Sequence, residues 1–281
     1  DGDEGEHHPA WSPDGRYLVY ATWSDAEGGH VYRVAADGSG KPERLTRVAS
    51  FYSDPVYAPD GRRIVVVRGP RVERQEDFSP RGRGGQALEL VWIPAEGGEA
   101  TRIGPFRGTR PQFARDPSRI YTWEVRTQPG EGGGGRSRGV LVSFRFDGTD
   151  RRAHLSVTGY KPPQAERANP AAEVVVSPDG ERAVVQAERK LYLVTIPVVG
   201  GDEPPVVAVG NPENAAVPIE PLTRVGGEFA AWAEDGKTIT WALGRVFFRY
   251  DVAAAGRGQS AHRQPAYEAA ETEIVIEVPR A

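Results

Sequence analysis

The stretch PAWSPDGRYLVY, residues 9–20, joins two alternating apolar segments through Ser-Pro-Asp-Gly. Proline suits the second position of a type I turn, and glycine accepts the left-handed conformation that closes a short hairpin. The stretch therefore predicts a β-hairpin. Related stretches recur along the chain: DPVYAPDGRRIVVV (54–67), RPQFARDPSRIYTW (110–123), AEVVVSPDGERAVV (172–185) and FAAWAEDGKTITWA (229–242).

The five hairpins recur at intervals of 46 to 63 residues, and such a repeat is typical of β-propeller blades when the content is strands alone. We predict an all-β fold, a β-propeller of five recognisable four-stranded blades, in one domain over residues 1–281. The five blades could close a ring by themselves or be part of a longer ring. The blades are predicted over residues 6–48, 52–104, 108–157, 169–225 and 227–279.

An aspartate precedes the turn glycine in four of the copies, and its recurrence favours a structural role. Asp side chains accept hydrogen bonds from nearby backbone N–H groups in turns. We interpret Asp14, Asp60, Asp179 and Asp235 as turn formers and not as catalytic residues. The third copy has Asp116-Pro117-Ser118 in place of Asp-Gly, so its turn must be built differently.

Three insertions interrupt the repeats. Residues 69–86 and 127–139 fall between the second and third strands of their blades, on the face that also carries 49–55 and 158–170. Because loops carry function more often than tight turns do, this face is the candidate working face, with a solvated loop as the alternative. Residues 198–216 are placed in the turn between the last two strands of the fourth blade, as a candidate docking point.

Composition sets the class of protein. The 281 residues are 38% hydrophobic and 26% charged, as in a globular protein with a large core. A net charge of −4 weighs against nucleic acid as a partner, and no apolar run is long enough for a membrane span. The chain has no Cys, which excludes disulfides and thiolate chemistry. It also has no Met, so we expect a processed product or a piece of a longer chain, from which a targeting segment could have been lost.

No catalytic constellation is predicted. Residues 135–139, GRSRG, match the G-x-S-x-G pattern of hydrolases, but that pattern needs a strand before the serine and a helix after it. Here a polyglycine loop precedes and a strand follows, so we interpret the segment as a linker. The histidines show no spacing typical of a metal site, and adjacent His7 and His8 should point in opposite directions in a strand.

A ring of mixed-sign polar residues is predicted where the innermost strands begin. Such a channel mouth could bind a small polar ligand, an ion or a partner peptide, and a channel that holds only water is the alternative. The candidate binding residues are His8, Asp54, Arg110, Asn169 and Glu228.

The Pro-Asp-Gly hairpins, each followed by a Gly-Gly and Leu-Thr type outer strand, resemble the TolB-type, WD-repeat-like propellers of bacteria. This resemblance implies a fold and not an activity. Longer stretches resemble the propeller half of bacterial amidohydrolase-type proteins, in which a propeller precedes a metal-dependent hydrolase barrel. These are EGGHVYRVAADGSGKPERLTR (27–47), ELVWIPAEGGEATRI (89–103), residues 210–252 and TEIVIEVPRA (272–281).

The resemblance implies a non-catalytic module that scaffolds or gates an adjacent metal-dependent amidohydrolase domain. The partner would be that domain or a second polypeptide, and a metal is expected only there, with no cofactor in this chain. The alternative is a free-standing TolB-like interaction propeller that binds a partner peptide or a small polar ligand at its channel. The resemblance favours a periplasmic or secreted location.

Overall fold

Twenty short β-strands carry nearly all the regular structure in the part of the chain described by the computed structural model. That part comprises residues 5–70, 88–128, 136–164, 168–198, 203–212, 215–233, 236–255 and 270–273. The first sheet has the order β1 (Gly5–Trp11), β2 (Tyr17–Trp23), β3 (Val31–Ala35) and β4 (Glu43–Arg44). The second has the order β5 (Phe51–Tyr57), β6 (Arg63–Gly69), β7 (Glu89–Pro94) and β8 (Thr101–Pro105).

The third sheet contains β9 (Arg119–Gln128), β10 (Arg136–Arg145), β11 (Arg152–Thr158) and, beside β11, a strand from further along the chain. The fourth has the order β12 (Glu173–Val176), β13 (Arg182–Ala187), β14 (Lys190–Thr195) and β16 (Ile219–Pro221). The strand that joins the third sheet is β15 (Val206–Ala208). The fifth has the order β17 (Glu228–Trp232), β18 (Thr238–Leu243), β19 (Val246–Asp251) and β20 (Ala270–Glu273), with a single helical turn α1 (Val252–Ala255) after β19.

The predicted fold class is confirmed: the chain is a β-propeller of five four-stranded blades. The chain divides into two compact units. Unit 1 is Asp1–Thr122 with Ser143–Arg151, and unit 2 is Trp123–Val142 with Arg152–Ala281. The single domain, the blade boundaries and the number of blades in the ring stay predictions.

The segment 198–216 corrects the sequence interpretation. Its central residues form β15, which pairs with β11 in parallel, Ser156 opposite Val206 and Thr158 opposite Ala208. The insertion therefore extends the third sheet as well as linking two strands of the fourth. The expected innermost strand of the third blade is reduced to one bridge between Gln112 and Tyr121.

The Pro-Asp-Gly turns share one construction. The glycines adopt a positive φ, 69° at Gly15, 66° at Gly61 and 75° at Gly180, as the hairpin geometry requires. The preceding carboxylate accepts the backbone N–H two residues further on, Asp14 at 3.1 Å and Asp60 at 2.9 Å. Asp179 does the same at 3.0 Å, and Asp235 lies outside the described residues.

The third blade has a turn without glycine, and a buried arginine lies beside it. Asp116 accepts hydrogen bonds from the backbone and hydroxyl of Ser118, at 2.9 and 2.6 Å, without a positive φ. Next to this turn the Arg119 side chain, only 3% exposed, reaches the Ser143 hydroxyl at 2.9 Å and the Asp150 carboxylate at 2.6 Å. The guanidinium therefore ties β9 to the turn after β10.

Three apolar clusters fill the sheet faces. One packs the first sheet against the second around Val19, Tyr52 and Ile64. Another joins the second sheet to the beginning of β9, around Val67 and Ile120, and a third packs the fourth sheet against the fifth in unit 2. The strands are rich in Val and Ile because such side chains fit a pleated surface that is buried.

A repeated Leu-Thr pair completes the backbone hydrogen bonding at the outer edge of two sheets. Leu45 and Leu222 are both 3% exposed, and the threonine that follows each one accepts a backbone N–H from the third strand. Thr46 accepts from Val31 at 3.1 Å, and Thr223 accepts from Leu191 at 3.0 Å. The hydroxyl takes the place of a backbone carbonyl there, which explains why the sequence repeats Leu-Thr.

Replacing Arg119 with alanine should destabilise the protein by about 3 kcal/mol, because it removes one member of a buried ion pair and its hydrogen bonds. Equilibrium urea unfolding measures the change. Arg145→Ala is the matched control, since Arg145 contacts the same Asp150 carboxylate at 3.2 Å but is 51% exposed. That variant should lose less than about 1 kcal/mol. Equal losses in the two variants would contradict the structural role of Arg119.

Protonation of the turn aspartates should lower the stability of the protein at acid pH. The Ser12 hydroxyl, the Arg16 backbone N–H and the Arg16 guanidinium lower the pKa of Asp14 from 3.8 to about 2. A lowered folded-state pKa stabilises the fold above pH 3.8, and this contribution is lost as the pH falls towards 2. Carboxyl NMR should place the Asp14 midpoint near 2 in the protein. In a peptide of residues 9–20 it should lie near 3.8, and coincident midpoints would exclude the turn contacts.

Candidate functional site

Three innermost strands share a bulge, which lies at the middle of β1 and β5 and at the start of β17. In β1 the pairing passes from His7–Ala21 to Ala10–Val19, so the inner strand holds one extra residue. The same shift occurs in β5 between Ser53 and Val56, and in β17 between Glu228 and Ala231. β-Bulges redirect side chains and are frequent beside binding sites.

The first bulge residue has a left-handed backbone in all three strands. The φ angle is 53° at His8, 51° at Asp54 and 56° at Phe229. A positive φ is uncommon outside glycine, and residues held there are enriched at functional sites. In the fifth blade the residue equivalent to His8 and Asp54 is therefore Phe229, one position after the predicted Glu228. The Phe229 side chain is 79% exposed.

The sequence does carry a signal for this bulge, although the hairpin pattern alone does not reveal it. Proline follows His8, Asp54, Arg110 and Asn169, four of the five predicted mouth residues. Proline lacks an N–H donor, so within a strand it belongs at edges and bulges. The repeated X-Pro pair marks where the ladder of the inner strand is interrupted.

His8 and Asp54 lie together in unit 1. The His8 Nε2 atom is 3.8 Å from Asp54 Oδ1, a distance that is too long for a hydrogen bond. The His8 side chain is 47% exposed, whereas that of Asp54 is only 14% exposed. Among the described residues, His8 is the only basic side chain within 4 Å of this largely shielded carboxylate.

Adjacent His7 and His8 do not point in opposite directions as predicted. Their ring centroids are 4.9 Å apart in an edge-to-face arrangement, because the bulge at His8 breaks the alternation of the strand. The His7 Nε2 atom lies 3.2 Å from the Tyr52 carbonyl oxygen of β5. The two histidines thus lie beside the first residues of the second inner strand.

The other predicted mouth residues have separate surroundings. In unit 1, half-buried Arg110 comes two residues before the Gln112–Tyr121 bridge. In unit 2, Asn169 is exposed and its carbonyl accepts the Gly159 N–H at 2.8 Å. Glu228, also exposed, begins β17 opposite Ala242. That all five residues face one ligand stays a prediction.

The described residues offer little to other chemistries. Ser137 of the G-x-S-x-G segment lies within β10, whereas a nucleophile elbow needs a strand-to-helix turn; Gly135 is outside the described residues. No group of three or more His, Asp or Glu converges on a metal site in the part of the chain that the structure describes. In that same part, no helix has the length and apolar character needed to cross a membrane.

The two long loops proposed as a working face fall largely outside the described residues. These are 71–87 and 129–135, which leaves that hypothesis as a prediction. Of the candidate docking point, residues 213 and 214 also lie outside the described part, as do residues 274–281 of the C-terminal stretch.

Comparison with known proteins agrees with the fold. No family model matches the chain. The Tol-Pal system protein TolB of Francisella tularensis subsp. mediasiatica is 40% identical over 85 residues, which are 30% of this chain and 19% of that protein. The uncharacterized peptidase YuxL of Bacillus subtilis is 32% identical over 66 residues, 24% of this chain and 10% of that one. The matches thus span a fifth or less of these relatives.

Solved structures add a likeness of fold. TolB from Acinetobacter baumannii superposes with a TM-score of 0.53 at 13% identity, over 89% of this chain and 52% of that one. The propeller domain of the Trilobed protease from Pyrococcus furiosus gives 0.50 at 15% identity, over 88% and 67% of the two chains. The chain is a TolB-like β-propeller, and identities this low support the fold alone.

Replacing Asp54 with glycine should leave the protein more stable than replacing it with alanine, by about 1 kcal/mol, because the left-handed backbone strains alanine and does not strain glycine. At ordinary strand positions the order is reversed. Ala10→Gly, at the paired end of the same kind of bulge, is the control and should lose stability. Urea unfolding of the variants measures these differences. A D54A protein as stable as D54G would rule out a strained residue 54.

Proposed function

We propose that this chain is a non-catalytic, TolB-like propeller module that works by binding a partner protein at the bulges of its inner strands. The anchor is the pair His8 and Asp54. The observation that carries the proposal is the Asp54 carboxylate, which is 14% exposed, sits on a left-handed backbone and has only a 3.8 Å contact to His8.

The chemistry of this anchor defines the partner group. A carboxylate removed from water needs hydrogen-bond donors, and charge-assisted bonds supply the strongest ones. His8 is too far away to donate. A Lys or Arg side chain of a partner segment could donate directly to Asp54, and its aliphatic part could lie along the two histidine rings. Arg110, Asn169 and Glu228 are proposed as further contacts of the same partner or of a small polar ligand.

Selection of random peptides on the immobilised protein tests the proposal even though the partner is unidentified. Peptides selected on the wild type should carry Lys or Arg and should bind Asp54→Asn about tenfold more weakly, since a neutral amide loses the charge-assisted bond. Asp37→Asn is the control, because Asp37 is an exposed turn residue after β3, and its binding should be unchanged. Selected peptides that bind both variants equally would refute the anchor.

The second candidate is the scaffold of a metal-dependent amidohydrolase. The stretches at 27–47, 89–103 and 210–252 support it through their resemblance to the propeller half of such proteins. On this hypothesis the metal and the hydrolytic residues belong to an adjacent domain or a second polypeptide, and this chain gates access to them.

Native mass spectrometry with metal analysis on material from the natural source separates the two candidates. A propeller that travels with a second, metal-loaded polypeptide favours the scaffold. A propeller found alone, which then selects basic peptides through Asp54, favours the interaction module. Hydrolysis of amide substrates by the purified chain alone would argue against both.

A further inference from the structure

A second concave site lies in unit 1, among the turns at the other end of the inner strands. Ser12 follows β1 directly, four residues after His8, so this site is about 13 Å from the mouth pair along the strand. Its volume is about 280 Å³. It is lined by Ser12, Pro13, Asp14, Arg16, Tyr17, Arg33, Tyr57, Pro59, Asp60, Gly61, Ala95 and Glu96.

The Tyr57 hydroxyl is the unusual group of this pocket. The residue is 6% exposed, and its hydroxyl has no hydrogen-bond partner among the described residues. Burial raises the pKa of Tyr57 to about 12, and the charges of Arg33, Glu96 and Asp14, all from the pocket lining, act on it. A buried hydroxyl left without a partner costs stability, so it needs an explanation. Thr109 Oγ1 shares this state but does not line the pocket.

Arg33 brings further donors to the same place. Its guanidinium bonds the Glu43 carboxylate at 2.8 Å, the Ala95 carbonyl at 3.0 Å and the Glu96 carboxylate at 2.6 Å. It also lies 4.8 Å from the centre of the Tyr17 ring. A guanidinium has five N–H groups, and these described bonds use three. The remaining donors and the Tyr57 O–H can therefore serve a ligand oxygen.

Every charged group around the pocket is already paired, with four carboxylates against three arginines. Two carboxylates face Arg33, Asp14 is paired with Arg16 at 2.5 Å, and Asp60 is paired with Arg63 at 2.7 Å. An anion would meet the surrounding carboxylates, and a cation would compete with arginines for them. A neutral ligand that both accepts and donates hydrogen bonds avoids both penalties.

The walls and the rim match such a ligand. Tyrosine and proline rings supply apolar faces on which the C–H groups of a small ring can pack. The rim side chains Arg16 and Glu96 are 74% and 81% exposed, so each can turn aside at the cost of one ion pair, with Asp14 for Arg16 and with Arg33 for Glu96. We propose that this pocket binds a neutral, hydroxyl-rich ligand the size of one sugar ring, with the Tyr57 hydroxyl as its central hydrogen-bond donor.

The inference is independent of the proposed function, because the pocket contains neither His8 nor Asp54. The test uses ligand-observed NMR with glucose, galactose and N-acetylglucosamine at millimolar concentration, against the wild type and Tyr57→Phe. At least one of these sugars should bind the wild type, and the variant should bind it about tenfold more weakly. Tyr192→Phe, a half-buried tyrosine of β14 in unit 2, is the matched control and should bind normally.

Two further measurements complete the test. Tyr57→Phe should melt at the same temperature as the wild type or higher, since it removes an unpartnered buried hydroxyl, and so lost binding cannot be ascribed to unfolding. Glucuronate, the anionic counterpart of glucose, should bind more weakly than glucose. The proposal is overturned if none of the three sugars binds, if glucuronate binds as well as glucose, or if Tyr57→Phe binds like the wild type.

Discussion

The burial of apolar sheet faces against neighbouring sheets is the constraint on which the rest of the structure depends. A single four-stranded sheet cannot satisfy it alone, so sheets pack in succession through Val, Ile and aromatic side chains. Val19 and Ile64, both fully buried, join the first sheet to the second, and Leu191 and Ile239 join the fourth to the fifth. The repeat in the sequence is the consequence, since each blade must offer the same two faces.

Close packing then fixes residues that look unimportant in the sequence. Trp123 is fully buried and donates its indole N–H to the Ala171 carbonyl at 3.0 Å. A side chain on Gly139 would overlap the Trp123 ring, so the last glycine of the G-x-S-x-G segment is explained by packing. In the same unit, Trp232 donates to the Val175 carbonyl at 3.1 Å. The two indoles thus add polar contacts between blades to the apolar ones.

The repeat of hairpins predicted the fold because turn chemistry is local: aspartate and glycine form the same kind of turn in four of the five copies, three of which also have the proline. The hairpin repeat could not predict the features that depend on residues far apart in the sequence. The outer strand Val206–Ala208 joins β11 in parallel through long-range pairing. Arg119 is buried because Ser143 and Asp150 meet it there. The bulges were not predicted, so Glu228 was chosen where Phe229 is equivalent to His8 and Asp54.

Positions that break local rules are the best guide to function in a fold that serves many functions. Most polar groups of this chain are paired close by, as at the Asp14 turn and the Thr46 edge. Asp54 and Tyr57 lack such bonds: Asp54 is a shielded carboxylate on a strained backbone with only a 3.8 Å contact to His8, and Tyr57 has a buried hydroxyl without a partner among the described residues. Asp54 is the central residue of β5, and Tyr57 is its last residue. Packing of the strand accounts for neither group, so each is best explained by a molecule that it binds.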